Sequence, residues 1–146
     1  GDFAGDLLYP TLVKYGFADG TYGREADDGL TLTDCRITNA VRCVPPQNKP
    51  TGAEVLACRP FLQNEIAAMA DLRVILALGG IAHQAVLRTL GLKVSAHKFA
   101  HRACYEVAEG VMMIDSYHCS RLNTNTGRLT EAMFHDVFEN IHRLMG

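Results

Sequence analysis

Apolar and polar positions follow two rhythms along this chain, and the changes of rhythm mark its elements. From Ala4 to Tyr15, Leu7, Leu8, Leu12 and Tyr15 fall on one side, which predicts a helix. Pro10 belongs to its first turns or kinks it, and Gly16 is a C-terminal stop. Asp19 to Gly29 is polar and Gly/Asp-rich, so a surface loop is expected. Leu32 to Val41 holds β-branched Ile37 and Val41 and predicts a short strand ending near Asn39. A helix is expected after Thr51, where Thr51 and Glu54 fit a capping box. It turns Val55, Leu56, Leu62, Ile66 and Met69 inward and bends at Pro60.

The second half has the stronger signals. Leu72 to Leu78 is apolar on both faces, as a central parallel strand requires. Gly79-Gly80 follows, then a helix from Ile81 to Leu90 that stops at Gly91. Strand, glycine turn and helix form one βα unit of a doubly wound sheet. Val94 to Cys104 is polar and histidine-bearing, and Val111 to Tyr117 is a second apolar strand. His118 to Gly127 reads as a polar loop. Leu129 to Met145 reads as a helix with Met133, Phe134, Val137, Phe138, Ile141 and Leu144 on one stripe. In open α/β sheets ligands bind at the C-terminal ends of strands. Here those ends carry Asn39, Gly79 and His118. There is no GxGxxG or Walker sequence, and tight strand-to-helix packing explains Gly79-Gly80 as well as phosphate binding does.

Composition narrows the picture. The chain has 146 residues, 48% hydrophobic and 21% charged, enough for one domain with a core. A net charge of −2 means that any nucleic-acid surface must be a local patch. No run is apolar and long enough to span a membrane, and there is no secretory leader pattern. Five cysteines, at 35, 43, 58, 104 and 119, make a poor disulfide framework and fit a reducing compartment. The chain opens at Gly1-Asp2-Phe3 in the midst of patterned sequence, so an N-terminal part is expected to precede it in a longer protein.

The candidate chemistry gathers between Asn39 and Cys58. Pro45, Pro46 and Pro50 stiffen a loop that presents Asn48. Cys58, two turns into the following helix, is placed to return towards Cys43. Taken alone, these two thiols are readable as ordinary buried cysteines, since an iron–sulfur cluster wants four thiolates. Cys35, Cys104 and Cys119 read as core or incidental, with a zinc site of Cys104 and His97 or His101 as the weaker reading. His97 and His101 stand four residues apart in a segment that does not look helical and read as loop or DNA-facing. His83, His135 and His142 read as surface or packing residues. Asp2, at a chain terminus, would ordinarily be solvated.

Three stretches carry more. ITNAVRCVPPQNKPT, SAHKFAH and SYHCSRLNTNTGRLT together resemble the family 5 (type b) uracil-DNA glycosylases of bacteria and archaea, over essentially the whole chain. Gly1-Asp2 resembles the end of that family's first motif, whose glycine-rich part and upstream cysteines are absent here. The resemblance implies a three-layer α/β/α sandwich with a central, mostly parallel sheet, covering residues 1–146 as one domain. It implies a base-excision repair enzyme, acting in a bacterial or archaeal cytoplasm as a monomer. Such an enzyme flips uracil or another deaminated base out of double-stranded DNA and hydrolyses its N-glycosidic bond. By resemblance, Asp2, Asn48 and His118 are catalytic and Asn39 reads the base. Ser120, Arg121, Leu122, Asn123 and Lys49 meet the DNA, with Leu122 as the wedge and Lys98 and Arg102 extending the patch. Cys43 and Cys58 match two of four ligands of a 4Fe-4S cluster.

The chemistry fits these residue types. A histidine donating to a base oxygen stabilises the departing anion, and a carboxylate near the sugar orients water. An apolar wedge replaces the stacking lost on flipping. Two other readings remain open at this level: a damaged-DNA-binding module of the same fold without hydrolysis, and a small-molecule enzyme using the Gly79-Gly80 turn.

Overall fold

A computed structural model describes residues 5–20, 23, 29–38 and 62–146. Its contacts divide into two compact units. One runs to Ile37 and resumes over Tyr117–Arg143, and the other covers Thr38–Ser116 and Leu144–Gly146.

In the first unit, α1 (Gly5–Lys14) forms where the leucine spacing predicts it. Pro10 lies inside it, and the Thr11 hydroxyl donates to Leu7 O at 2.7 Å. The helix ends as a Schellman motif, with Phe17 N–H bonded to Leu12 O and Gly16 N–H to Val13 O. Gly16 takes φ +86°, which its lack of a Cβ permits. The chain then enters β1 (Ala18–Asp19), paired antiparallel with β2 (Thr31–Leu32). The ends of the expected surface loop are thus held as a small ribbon. Gly20 sits so close to Gly29 O that a side chain at that position would collide with it.

Of the strand expected over Leu32–Val41, Leu32 ends β2, residues 33–38 have no regular structure, and positions 39–41 lie outside the described residues. Ile37 is exposed, and Asp34 takes a left-handed φ of 51° that breaks extension. β-branching without burial does not make a strand.

The long helix α5 (Glu131–Met145) buries Phe134, Val137, Phe138 and Ile141, four members of the predicted stripe. Tyr15 stacks on Phe138 with centroids 5.5 Å apart, and Phe134 meets Phe138 edge-on at 5.2 Å. His142 donates from Nε2 to Tyr15 O, so it acts as a packing residue at the end of α1.

The second unit is a three-stranded mixed sheet with strand order β3-β5-β4. Helical residues 62–67 (α2) bring Leu62 into its core. β3 (Val74–Leu78) runs parallel to β5 (Val111–Ser116), in register from Val74 opposite Met112 to Leu78 opposite Ser116. Between them lie α3 (Gly80–Thr89) and β4 (Cys104–Ala108). α3 closes in a second Schellman motif at Gly91. Its inner face, Ala85, Val86 and Leu87, packs with Ala77, Val107 and Met113.

Pattern reading leaves β4 unassigned. It pairs antiparallel with β5 and has a register shift between Glu106 and Ala108. Tyr105 and Val107 turn inward while Cys104, Glu106 and Ala108 face out, an alternation too short to stand out beside the histidine-rich segment before it. Among the described strands of this sheet one pairing is therefore parallel and one antiparallel.

Candidate nucleic-acid interface and active site

β3 and β5 are parallel, so their C-terminal ends lie side by side, and Gly79 N–H donates to Ser116 O at 2.8 Å across that end. Gly79 takes φ +93°, turning the chain from β3 into α3 within one residue. β5 leads directly to the polar stretch expected to form a site.

Within the first unit, that stretch hangs between two buried residues, Cys119 and Leu129. The expected open loop over His118–Gly127 is corrected: it contains a short helix, α4 (Arg121–Asn125). Ser120 is its N-cap, with an extended backbone and Oγ accepting from Asn123 N at 3.2 Å. The Asn123 side-chain amide donates to His118 O at 2.9 Å, and Leu129 N donates to Asn123 O at 3.0 Å. Thr124 Oγ1 bonds back to Ser120 O and Arg121 O, and Thr126 Oγ1 to Leu122 O. Gly127 (φ +77°) then reverses the chain. Clusters of Ser, Thr and Asn satisfy backbone groups locally in this way, and here they do so from both sides of one turn.

The surface this turn shows is unusual in two respects. Leu122 is 71% exposed, although a leucine gains most by burial. From Tyr117 to Thr130 there are two arginines, Arg121 and Arg128, and no carboxylate. Arg128 lies over the Tyr117 ring, 5.6 Å from its centroid. The stretch is thus locally basic in a chain of net charge −2, with an apolar side chain standing out of it.

The turn brings together five of the residues expected from the sequence: His118, Ser120, Arg121, Leu122 and Asn123. His118 is exposed. Asp2, Asn39, Cys43, Asn48, Lys49 and Cys58 lie outside the described residues. Lys98 and Arg102 are both exposed in the second unit, and Arg102 holds a left-handed φ of 71°.

No described group of His, Cys, Asp or Glu could hold a metal ion, which leaves the weaker zinc reading at Cys104 without support. Burial pushes Cys35 up, and burial together with the Asp115 carboxylate pushes Cys104 up. A 4Fe-4S cluster is held by four thiolates, and the described residues contain no grouping of that kind.

The second unit holds a constellation that sequence reasoning missed. His83 on α3 and Asp115 on β5 are 1% and 0% exposed and meet through Nδ1 and Oδ1 at 2.8 Å. The other ring nitrogen, Nε2, reaches His97 O at 2.6 Å. A carbonyl only accepts, so Nε2 carries a hydrogen. The Nδ1–Asp115 contact then holds one proton, on either partner, and both arrangements complete the bond. Burial raises the Asp115 carboxyl above its ordinary value, opposed by the His83 hydrogen bond and charge and by the Ala100 amide.

Phe99 and Tyr105 close edge-on around the His83 ring. His97 itself donates from Nδ1 to Lys93 O, and Tyr105 OH donates to Lys98 O. SAHKFAH is therefore strapped onto the sheet. Both members of the pair left a signal: His83 lies on the same helix face as Val86 and Leu87, and Asp115 interrupts an otherwise apolar strand.

The second unit thus offers a mixed sheet with a glycine turn at the β3 end, and the first unit a basic, leucine-bearing turn. Residues 2–142 match the Uracil DNA glycosylase superfamily, and the chain belongs to it. It is 44% identical, over its whole length, to a type-5 uracil-DNA glycosylase of Thermus thermophilus, covering 66% of that protein. It is 41% identical over its whole length to one of Mycobacterium bovis, covering 55% of it. A type-5 enzyme of Pyrobaculum aerophilum is 41% identical over 89% of this chain, which spans 56% of that relative. The chain thus spans between about half and two thirds of the length of these curated relatives. No described helix is long and apolar enough to cross a membrane.

Proposed function

We propose that this chain carries the larger part of a type-5 uracil-DNA glycosylase, which removes uracil or another deaminated base from double-stranded DNA in base-excision repair. The observation that carries the reading is the turn after β5. It holds an exposed Leu122 between Arg121 and the Asn123 clamp, four residues beyond His118. The identity to type-5 enzymes over the whole chain supports it.

In this reading Arg121 and Lys49 meet backbone phosphates, which need donors rather than a basic protein. Leu122 enters the stack as the target nucleotide leaves it, offsetting part of the few kcal/mol that flipping costs. His118 donates a hydrogen bond to the base oxygen, where negative charge grows as the glycosidic bond breaks. Asn39 reads the base edge and Asn48 lines the pocket. Asp2 orients water towards the sugar carbon and steadies its positive charge. Protonation of the base and attack of water then leave an abasic site.

Cys43 and Cys58 are assigned as two of the four ligands of a 4Fe-4S cluster, on sequence resemblance, and no catalytic step passes through it. The full fold is read as the superfamily's three-layer α/β/α sandwich, with residues 1–146 as one domain, since the family match crosses both compact units. The protein is expected to act as a monomer in the cytoplasm.

The test is single-turnover excision on a uracil-containing duplex by the full-length protein. His118→Ala should slow base release by about a hundredfold to a thousandfold, the usual loss for one donor to a developing anion, with duplex affinity within a few-fold. Tight binding without base release by the unaltered protein would instead identify a non-hydrolytic damage-binding module.

A further inference from the structure

We propose that Asn123 is a positioning residue, which fixes the backbone of His118 against the helical turn that bears Leu122. This rests on the glycosylase reading for its function, but its geometry stands by itself.

Three atoms of Asn123 are engaged at once. Its N–H donates to the Ser120 cap, its side-chain amide donates to His118 O at 2.9 Å, and its own carbonyl accepts from Leu129 N at 3.0 Å. One residue therefore ties together the start of the turn, its helix cap and its buried exit. The carbonyl it holds is that of His118, so the bond restrains the His118 ψ angle and with it the direction the imidazole takes. Leu122 is its immediate neighbour on α4. The sequence expectation is direct DNA contact, yet the amide nitrogen is occupied inside the turn.

The bond has a defined polarity. Only an N–H can face a carbonyl oxygen. Asn123→Asp keeps nearly the same shape but sets one oxygen against another, and Asn123→Ala leaves the carbonyl to water. Either change frees the histidine while leaving the exposed residues of the turn in place. Misplacing a reacting group by about 1 Å can cost about a hundredfold in rate, so a clamp of this kind acts on the chemical step rather than on affinity.

The experiment uses the full-length protein. Asn123→Ala and Asn123→Asp are each made in the unaltered and His118→Ala backgrounds, with Thr126→Val as a control that removes hydroxyl bonds to Leu122 O and Asn123 O but keeps the amide bond to His118 O. Single-turnover excision, duplex affinity at two salt concentrations and the urea midpoint are measured for each. Both Asn123 variants should excise about tenfold to a hundredfold more slowly, with affinity and its salt dependence within about twofold. Neither should lose anything further when His118 is already alanine, and Thr126→Val should stay within about twofold of the unaltered rate.

Affinity falling in step with excision, or full additivity with His118→Ala, would overturn the proposal in favour of direct DNA contact. Unchanged excision would overturn the proposal and leave the Asn123 bonds a purely structural part of the turn. Should the unaltered protein release no uracil, the glycosylase reading fails separately. Hydrogen exchange of the Asn123 side-chain amide, followed by NMR in the same sample, then decides. Slow exchange supports the clamp, and exchange at the rate of a free asparagine overturns it.

Discussion

Two histidine carbonyls in this molecule are held by side chains, and they are held in opposite surroundings. In the second unit His83 donates to His97 O from a site that is 1% exposed, with Asp115 behind it at 0%. In the first unit Asn123 donates to His118 O from a half-buried position on a surface turn. The local geometry is alike, a polar side chain closing onto a backbone oxygen. The alternatives to the bond are not alike. Solvent can take the place of Asn123, so its loss costs little folding energy. His83 is shut away from solvent, and a buried polar group stripped of its partner carries its full desolvation cost. The buried bond therefore belongs to the stability of the fold, and the surface bond to the aim of the residues around it.

The contrast between the two sites breaks most severely at Asp115. Asp115→Ala removes the partner of a buried imidazole and should destabilise the protein by about 3 kcal/mol or more, read from urea unfolding. Asp115→Asn is the informative contrast. Its amide can donate to Nδ1 of a neutral His83 whose Nε2–H still faces His97 O, so the loss should be about 1 kcal/mol. Equal losses for the two variants would show that the carboxylate charge, rather than the completed chain of hydrogen bonds, is what the site requires.

A smaller effect is the pH dependence the pair confers. Burial raises the folded carboxyl of Asp115 above its unfolded value. Between those two values the folded protein binds more protons than the unfolded chain, so stability falls as pH rises through that window and is flat above it. Asp115→Asn abolishes this contribution. The stability difference, unaltered protein minus variant, should therefore decrease with rising pH across the acidic range, as measured by unfolding at a series of pH values. A difference that grows with pH would reverse the assignment.

The smallest effect on folding is expected at the surface turn. Leu122→Ala, at a 71% exposed position, should change stability by no more than about 0.5 kcal/mol yet slow uracil excision. A clear loss of stability would mean that Leu122 packs in the folded protein, which would remove the argument for a wedge.

Much of this is legible in the sequence, and the exceptions share a cause. The stripe from Phe134 to Ile141 repeats at helical spacing and lies buried on α5 as expected. The run from Val74 to Leu78, followed by Gly79-Gly80, announces the βα unit. β4 escapes because only Tyr105 and Val107 mark its inner face. α4 escapes because RLNTN has no apolar periodicity. It forms because Ser120 caps it and hydroxyls at 124 and 126 bond back along it. Across the described part of the expected strand at Ile37 no strand forms, for the converse reason that this β-branched residue is exposed.

The sequence by itself determined the candidate residue types and the order in which the chain presents them. His118, Arg121, Leu122 and Asn123 sit in one motif whose resemblance to a repair family needs no coordinates. Local rules also set the helix stops at Gly16 and Gly91, because only the neighbouring backbone is involved. Tertiary structure decided which polar groups meet. His83 and Asp115 are 32 positions apart, and their pairing depends on α3 packing against a sheet that places β5 beneath it. Likewise the Asn123 amide meets His118 O only because α4 turns it there. Hydrogen bonds are short-ranged and directional, so a composition rich in donors says that bonds will form, while the folded backbone says between whom.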